Sequence, residues 1–253
     1  DLRLLKIFGL FSSLIIQKNQ QYTEIKKALD ARDTFISLAS HEIKTPLTTV
    51  YGYAQIIKRT LTAGKSPKLQ WVNTLLFETH RVTLLVNELL QVEHVKTGKL
   101  NYRLKKCSLH LVIKRAMMDF AFIYPSHKLI FKNNLGKQPD FVQGDFDKLL
   151  QVILNILTNA GRFSSEKSTV RIALTHEKNY LIIKISDWGK GIEKKDLSRI
   201  FQRFYKADKT SKGLGLGLYL AKEVVDEHGG TIEINSKLGH GTAVTICLPK
   251  LKK

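Results

Sequence analysis

The chain has 253 residues, 43% hydrophobic and 25% charged, ordinary composition for a globular protein with room for one large domain or two medium ones. Its net charge of +19, from 41 basic and 22 acidic residues, favours anionic partners. No run of five or six like charges marks a nucleic-acid tail, so no nucleic acid is expected and the excess reads as a diffuse basic surface. Cys107 and Cys247 stand too far apart for a disulfide framework or a cysteine metal motif, which suits a reducing cytoplasm.

The stretch 7–16 is uncharged, but Arg3 and Lys6 cut it short of the roughly 20 residues that a membrane helix needs. No signal peptide is recognisable. The chain starts at Asp1 in mid-pattern, as a piece of something longer would, and any membrane tether would lie upstream. Leu4, Phe8, Phe11, Ile15, Tyr22, Ile25, Leu29, Ile36 and Ala39 share a 3-4 spacing, which predicts a long helix packed on a partner helix.

Positions 40–47 read Ser-His-Glu-Ile-Lys-Thr-Pro-Leu. On a helix, residues four apart share a face, so His41 and Thr45 point the same way with Glu42 beside them. His41 falls off the apolar seam and open to solvent, offering a nucleophilic ring nitrogen. Glu42 can take the proton that the ring loses on attack, and Thr45 can hold a water near whatever the ring carries. Pro46 has no N–H to give and is expected to bend or loosen the helix. By itself this is only a His-Glu pair on an amphipathic helix; downstream motifs decide its meaning.

A break at 63–67 precedes a second amphipathic stretch carrying Leu69, Val72, Leu75, Leu76, Val82, Leu85, Val86, Leu89 and Leu90. Helix, turn and helix make an antiparallel hairpin. Its apolar seam is too large for a monomer, which predicts a homodimer paired as a four-helix bundle.

After Thr97-Gly98 the pattern changes. Strand-like runs at 100–106, 128–133, 170–176, 180–186, 231–235 and 242–248 alternate with helical ones near 109–123, 146–160 and 216–228. The expected class is α+β, with one sheet and helices on a face.

Three pieces of this region speak of nucleotide. In Asn155-Ile-Leu-Thr-Asn159-Ala-Gly-Arg162-Phe163 two amides sit four apart on an otherwise apolar helix, and amide oxygens suit a hard cation such as Mg²⁺. Arg162 could reach phosphate, and Phe163 could pack on a base or sugar. Next, an apolar strand delivers Asp187, followed by Trp188, Gly189, Lys190, Gly191 and Ile192. A carboxylate there can accept from an exocyclic amine, and the glycines allow close backbone approach. Last, Gly213-Leu214-Gly215-Leu216-Gly217 runs into a helix whose free N–H groups favour phosphate. Before it, Phe201, Arg203, Phe204, Tyr205, Lys206, Lys209 and Lys212 mix aromatics with cations, as in a mobile lid.

These boxes, in this order, resemble the catalytic core of a bacterial two-component sensor histidine kinase over about 32–249. The resemblance implies a dimerisation and histidine phosphotransfer hairpin (30–97) and then a two-layer α/β sandwich of the GHKL ATPase type (98–253). Residues 1–29 resemble the signalling helix that leaves an upstream sensor region, for instance of GAF type. It further implies ATP and Mg²⁺ as cofactors, His41 as phosphoacceptor, Glu42 as general base and Thr45 as the water-placing residue of a regulator phosphatase activity. Asn155 would ligate Mg²⁺, Asn159 would contact nucleotide and Asp187 would hold the adenine amine. Gly213 to Gly217 would border the phosphates, and Tyr205 and Lys206 would act from the lid. A response regulator's receiver aspartate would take the phosphoryl group.

Arg162 and Phe163 depart from the commoner lysine and tyrosine, and Leu214 from a small polar residue. Only eight residues separate Phe204 from Gly213, a short lid for this family. Two other readings compete on the sequence: a scaffold that binds ATP poorly and acts as a regulator phosphatase or phosphotransfer module, and a DNA-linked ATPase of the same nucleotide fold, against which the hairpin with His41, Glu42 and Thr45 argues strongly.

Overall fold

The computed structural model describes residues 2–96, 102–208, 211 and 213–251. Lys209, Lys212, the 97–98 boundary and the start of the strand expected from residue 100 lie outside them, as do the side chains of Leu4, Phe8 and Phe11.

Helix α1 (Leu2–Thr62) and helix α2 (Leu69–Lys96) form the hairpin and pack on each other. Gly64, at φ +70°, makes the turn between them, a conformation that glycine adopts without steric penalty. Pro46 does not end α1. It is buried, and its missing N–H leaves the Glu42 carbonyl without the usual helical donor. His41 is exposed, as its place off the seam implied, while Ala39 is buried.

The remainder runs β1 (Lys105–Ser108), α3 (Leu109–Ile123), β2 (Lys128–Asn133), β3 (Phe141–Gly144), α4 (Phe146–Phe163), β4 (Thr169–Glu177), β5 (Tyr180–Asp187), α5 (Lys194–Leu197), α6 (Gly217–Glu227), β6 (Thr231–Lys237) and β7 (Gly241–Pro249). Five strands form a sheet in the order β2-β4-β5-β7-β6, with β2-β4 parallel and the other pairs antiparallel. The expectation of one sheet needs correcting, because β1 and β3 pair as a separate two-stranded ribbon. Four residues are too few to show alternation, so β3 gave no sequence signal.

Alternation does explain the large sheet. Val170, Ile172 and Leu174 of β4, Leu181, Ile183 and Ile185 of β5, and Val244, Ile246 and Leu248 of β7 all point to the helical layer. On α4, Leu149, Val152, Ile153, Ile156, Leu157 and Ala160 form the matching stripe, spaced as a 3.6-residue period requires. Each such valine, leucine or isoleucine, once buried, contributes ~1.5–3 kcal/mol. Asp145 caps α4 by accepting from the Asp147 and Lys148 N–H groups at 3.1 and 3.2 Å, and Ser108 caps α3 through Leu111 N–H at 3.3 Å. The Asp145 cap sets where α4 starts, and so where Asn155, Asn159 and Arg162 fall along it.

Candidate functional site

A cleft of about 990 Å³ opens between the C-terminal half of α4, the end of β5, the glycine-rich segment and helix α2. Asn155 and Asn159 line it from α4. The Asn155 Nδ2 donates to the Gly217 carbonyl at 3.2 Å, which ties α4 to the start of α6 and leaves the amide oxygen as the end suited to a hard cation. No side chain caps α6, so its first N–H groups are available to an anion.

Asp187 is the last residue of β5 and is half-buried in the cleft wall. Burial pushes its carboxyl above the ordinary carboxylate value, and the backbone N–H groups of Gly189 and Thr242 pull it back in part. The Gly189 bond is 2.8 Å long. The two glycines of this turn serve the protein's own backbone: a Cβ on Gly191, at φ +69°, would lie 2.1 Å from the Lys237 carbonyl oxygen, and one on Gly189 would lie 2.4 Å from that of Phe163. Phe163 carries Lys190 Nζ 4.9 Å above its ring.

Across the cleft, Tyr205 is anchored by its hydroxyl, which donates to Asp196 at 2.6 Å, and by the Arg199 guanidinium 4.4 Å from its ring centre. That hydrogen bond, chiefly, raises the Tyr205 phenol above its usual value. Gly215, at φ +69°, passes so close that a Cβ would meet the Tyr205 carbonyl oxygen at 2.8 Å. Lys206 Nζ donates to the Ser211 carbonyl at 2.7 Å. The Arg162 guanidinium lies 3.3 Å from where a Cβ on Gly213 would stand. Cations thus converge on the glycine-rich backbone, which suits phosphate.

The hairpin closes the remaining side. Glu42 accepts from the Gly213 N–H at 2.8 Å, and its carboxylate lies 3.5 Å from Arg81 and 3.9 Å from Lys206. Phe77, His80, Arg81 and Leu85 of α2 line the cleft. Ala39 and Leu85 form a small apolar cluster with Leu214, Leu216, Tyr219 and Leu220.

Of the residues singled out from sequence, Asn155, Asn159, Arg162, Phe163, Asp187, Gly189, Gly191, Ile192, Tyr205, Lys206, Gly213, Leu214, Gly215 and Gly217 line this one cleft. Leu216 and Phe204 do not, and neither do His41, Glu42 and Thr45 of α1. Leu216 is fully buried against the hairpin, and Phe204 packs on Phe35 with ring centres 5.3 Å apart. The departure at Leu214 has a structural reason, since its side chain packs on Ala39 and Leu85 in the docking cluster. Arg81 was missed. It sits in an ordinary amphipathic helix, and only its nearness to Glu42 gives it meaning.

Two family models match: "Histidine kinase-, DNA gyrase B-, and HSP90-like ATPase" over 144–252, and "His Kinase A (phospho-acceptor) domain" over 31–98. Sensor histidine kinase WalK of Bacillus subtilis (strain 168) is 36% identical over 234 residues, covering 90% of this chain and 38% of WalK. The signal transduction histidine-protein kinase ArlS of Staphylococcus haemolyticus (strain JCSC1435) is 29% identical, over 92% of this chain and 52% of ArlS. Among solved structures, the Acinetobacter baumannii histidine kinase AdeS shares the fold with a TM-score of 0.60 at 23% identity, covering 84% of this chain and 98% of that one. The chain therefore spans between 38% and 52% of the length of these two curated relatives. A phosphoacceptor hairpin followed by an ATPase-type lobe, with relatives of one kind matched across both, places this chain among the two-component sensor histidine kinases, as a catalytic core.

Proposed function

We propose that this core binds ATP in the 990 Å³ cleft and phosphorylates its own His41. A ring nitrogen of His41 attacks the γ-phosphorus. The bond to the β,γ-bridging oxygen breaks, ADP leaves with that oxygen, and the ring proton passes to Glu42. The phosphoryl group then moves to an aspartate carboxylate on the receiver domain of a response regulator. In such transfers the protein mainly positions groups and offsets charge, which matches the short inventory of Asn155, Arg162, Lys206 and glycine-box N–H groups. The observation that carries the reading is the contact of Glu42, next to the exposed His41, with Gly213 at the mouth of that cleft.

The Asp187 carboxylate would accept from the adenine amine, Asn159 would contact the nucleotide, and Tyr205 and Lys206 would close on it. The amide oxygen of Asn155 fits Mg²⁺. Among the described residues no cluster of three or more His, Cys, Asp or Glu could hold a metal, so the ion would rest on this amide, the nucleotide's oxygens and water. When bound, it would offset charge on the transferring phosphoryl group. Thr45, now donating to the His41 carbonyl at 3.1 Å, would place the water that dephosphorylates the regulator.

We further place the dimerisation and phosphotransfer unit at 30–97, the ATP-binding unit at 98–253 and a signalling helix at 1–29. Pairing of two hairpins is supported by Ile15, Tyr22, Ile25, Ile36 and Tyr51, each more than half exposed. No described helix is long and apolar enough to cross a membrane; a cytoplasmic place for this core is our reading. Incubation with γ-labelled ATP tests the proposal: an acid-labile, base-stable label that His41→Gln abolishes is expected. Intact, folded protein that takes no label would overturn it.

A further inference from the structure

The contact between Glu42 and the glycine-rich segment is an unusual use of a general base. Its Oε2 accepts the Gly213 N–H at 2.8 Å and lies 3.5 Å from Arg81 Nη2, while Oε1 lies 3.9 Å from Lys206 Nζ. Both Glu42 and Arg81 are largely buried, with side chains 13% and 18% exposed. A backbone N–H in a glycine-rich segment, a lysine and a guanidinium are the donors that a phosphate oxygen takes, and Arg162 stands beside the same glycine. A carboxylate and a phosphate are both anions accepting charge-assisted hydrogen bonds, so they cannot share those donors.

We propose that Arg81 is a positioning residue that holds the Glu42 carboxylate in the phosphate subsite until an arriving nucleotide displaces it. Glu42 then has two places in one cycle. At rest it satisfies the Gly213 N–H and lies within ion-pair reach of Lys206. With a triphosphate on those donors it is expelled toward the imidazole one residue before it, and Arg81 keeps it on the hairpin side of the cleft. Glu78, 3.4 Å from Arg81 Nη1 on the same helix, fixes the guanidinium from behind. The base is thereby released by the substrate that creates the need for it.

This inference rests on the reading of the cleft as an ATP site, and the two can fail separately. The measurement is titration of the whole chain with a non-hydrolysable ATP analogue and Mg²⁺, beside the initial rate of His41 labelling at saturating ATP. A competitor built into the site lowers apparent affinity by the fraction of protein that it occupies. Glu42→Gln should therefore bind the analogue about five- to tenfold more tightly, although it labels poorly. Arg81→Ala should also bind more tightly, yet label about tenfold more slowly, and Arg81→Lys should restore part of the rate. Glu166→Gln removes an equal charge from an exposed position beside Ser165 at the cleft's edge, and should leave affinity within about twofold.

Wild-type affinity in Glu42→Gln would overturn the inference alone, as would an equal tightening in Glu166→Gln, which would reduce the effect to bulk charge. Parallel loss of binding and rate in Arg81→Ala, with no rescue by lysine, would reduce Arg81 to a packing role and overturn it as well. No analogue binding by any folded variant would overturn the ATP-site reading beneath it.

Discussion

Phe204 holds a left-handed backbone, φ +63°, with its ring 5.3 Å from that of Phe35 on α1 at an interplanar angle of 43°. A bulky residue in that region costs roughly 1–2 kcal/mol, and such strain persists only where the surroundings over-determine it. Here the Phe204 N–H donates to the Gly215 carbonyl at 3.1 Å, and the ring is trapped between hairpin and lobe. The segment that leads to the glycine-rich stretch therefore passes through a strained residue that α1 clamps.

The strain and the ring contact can be separated by substitution. Phe204→Ala loses the ring and keeps the strain, whereas Phe204→Gly loses both. Chemical denaturation should find the glycine variant more stable than the alanine one by ~1 kcal/mol. Phe35→Ala should lose stability in wild-type but little in either variant, since the pair is worth about 0.5–1.5 kcal/mol beyond burial. An alanine variant as stable as the glycine one would remove the strain argument.

Asp187 sets stability against binding. Burial raises its carboxyl in the fold, so the fold favours the protonated form. The associated stability is present at pH below the ordinary carboxylate value and lost as pH rises through the folded value. Once ionised, the side chain is a liability in the ligand-free protein. Asp187→Asn keeps an acceptor for Gly189 N–H and removes the charge, and should raise Tm by about 2–4 °C. The same change should weaken ATP-analogue binding by roughly ten- to a hundredfold. Calorimetry that found a lower Tm would contradict this account.

Alkaline pH should loosen the β1–α3 corner. Burial, aided by Glu227, Glu223 and Asp145, pushes Tyr102 up to about 12, and burial with Asp145 and Asp140 pushes Cys107 up to about 11. Both groups ionise more readily when unfolded, near 10.0 and 9.0. Their contribution is whole below those values and falls as pH rises through the folded ones. Urea midpoints should decline from about pH 9 upward. The Tyr102 hydroxyl is buried without a partner, so Tyr102→Phe should be neutral or stabilising and should flatten the decline above pH 10.

Transfer between two paired chains can be tested by complementation. Asn155→Ala should abolish self-labelling, while its His41 still accepts phosphate in a mixed dimer with a His41→Gln partner. Label recovered only from such mixtures supports the assignment, and unlabelled mixtures would break it. Thr45→Ala should slow regulator dephosphorylation by about tenfold or more while leaving self-labelling within about twofold, and equal losses would remove the water-placing role.

The apolar stripe on α1 supplies a test of pairing. Ile25 and Ile36 are 59% and 53% exposed in the single chain. Ile36→Glu would bury a charge at any bundle interface, which is strongly unfavourable. Sedimentation should show a dimer for wild-type and a monomer for the variant, with the ATP-binding lobe still folded by circular dichroism.

Much of this was legible in the chain as written. The helix at 109–123 and the strand at 128–133 matched their elements residue for residue, because local spacing of apolar side chains carries that information. The residues that line the cleft were legible for the same reason: Asn155 and Asn159 stand out on an apolar helix, Asp187 ends a strand, and Gly213, Gly215 and Gly217 run into a helix. The four residues of β3 and the four of α5 were too short to show a period.

What spacing could not supply was the meeting of distant parts. Gly213 N–H finds Glu42 across 171 positions, and Leu214, an oddity in its motif, becomes a docking residue only beside Ala39 and Leu85. Arg81 has no local signature at all. Periodicity is a property of neighbours along the chain and settles which face of each element is apolar. Which donor meets which carboxylate depends on how those faces pack, and that only the folded molecule decides.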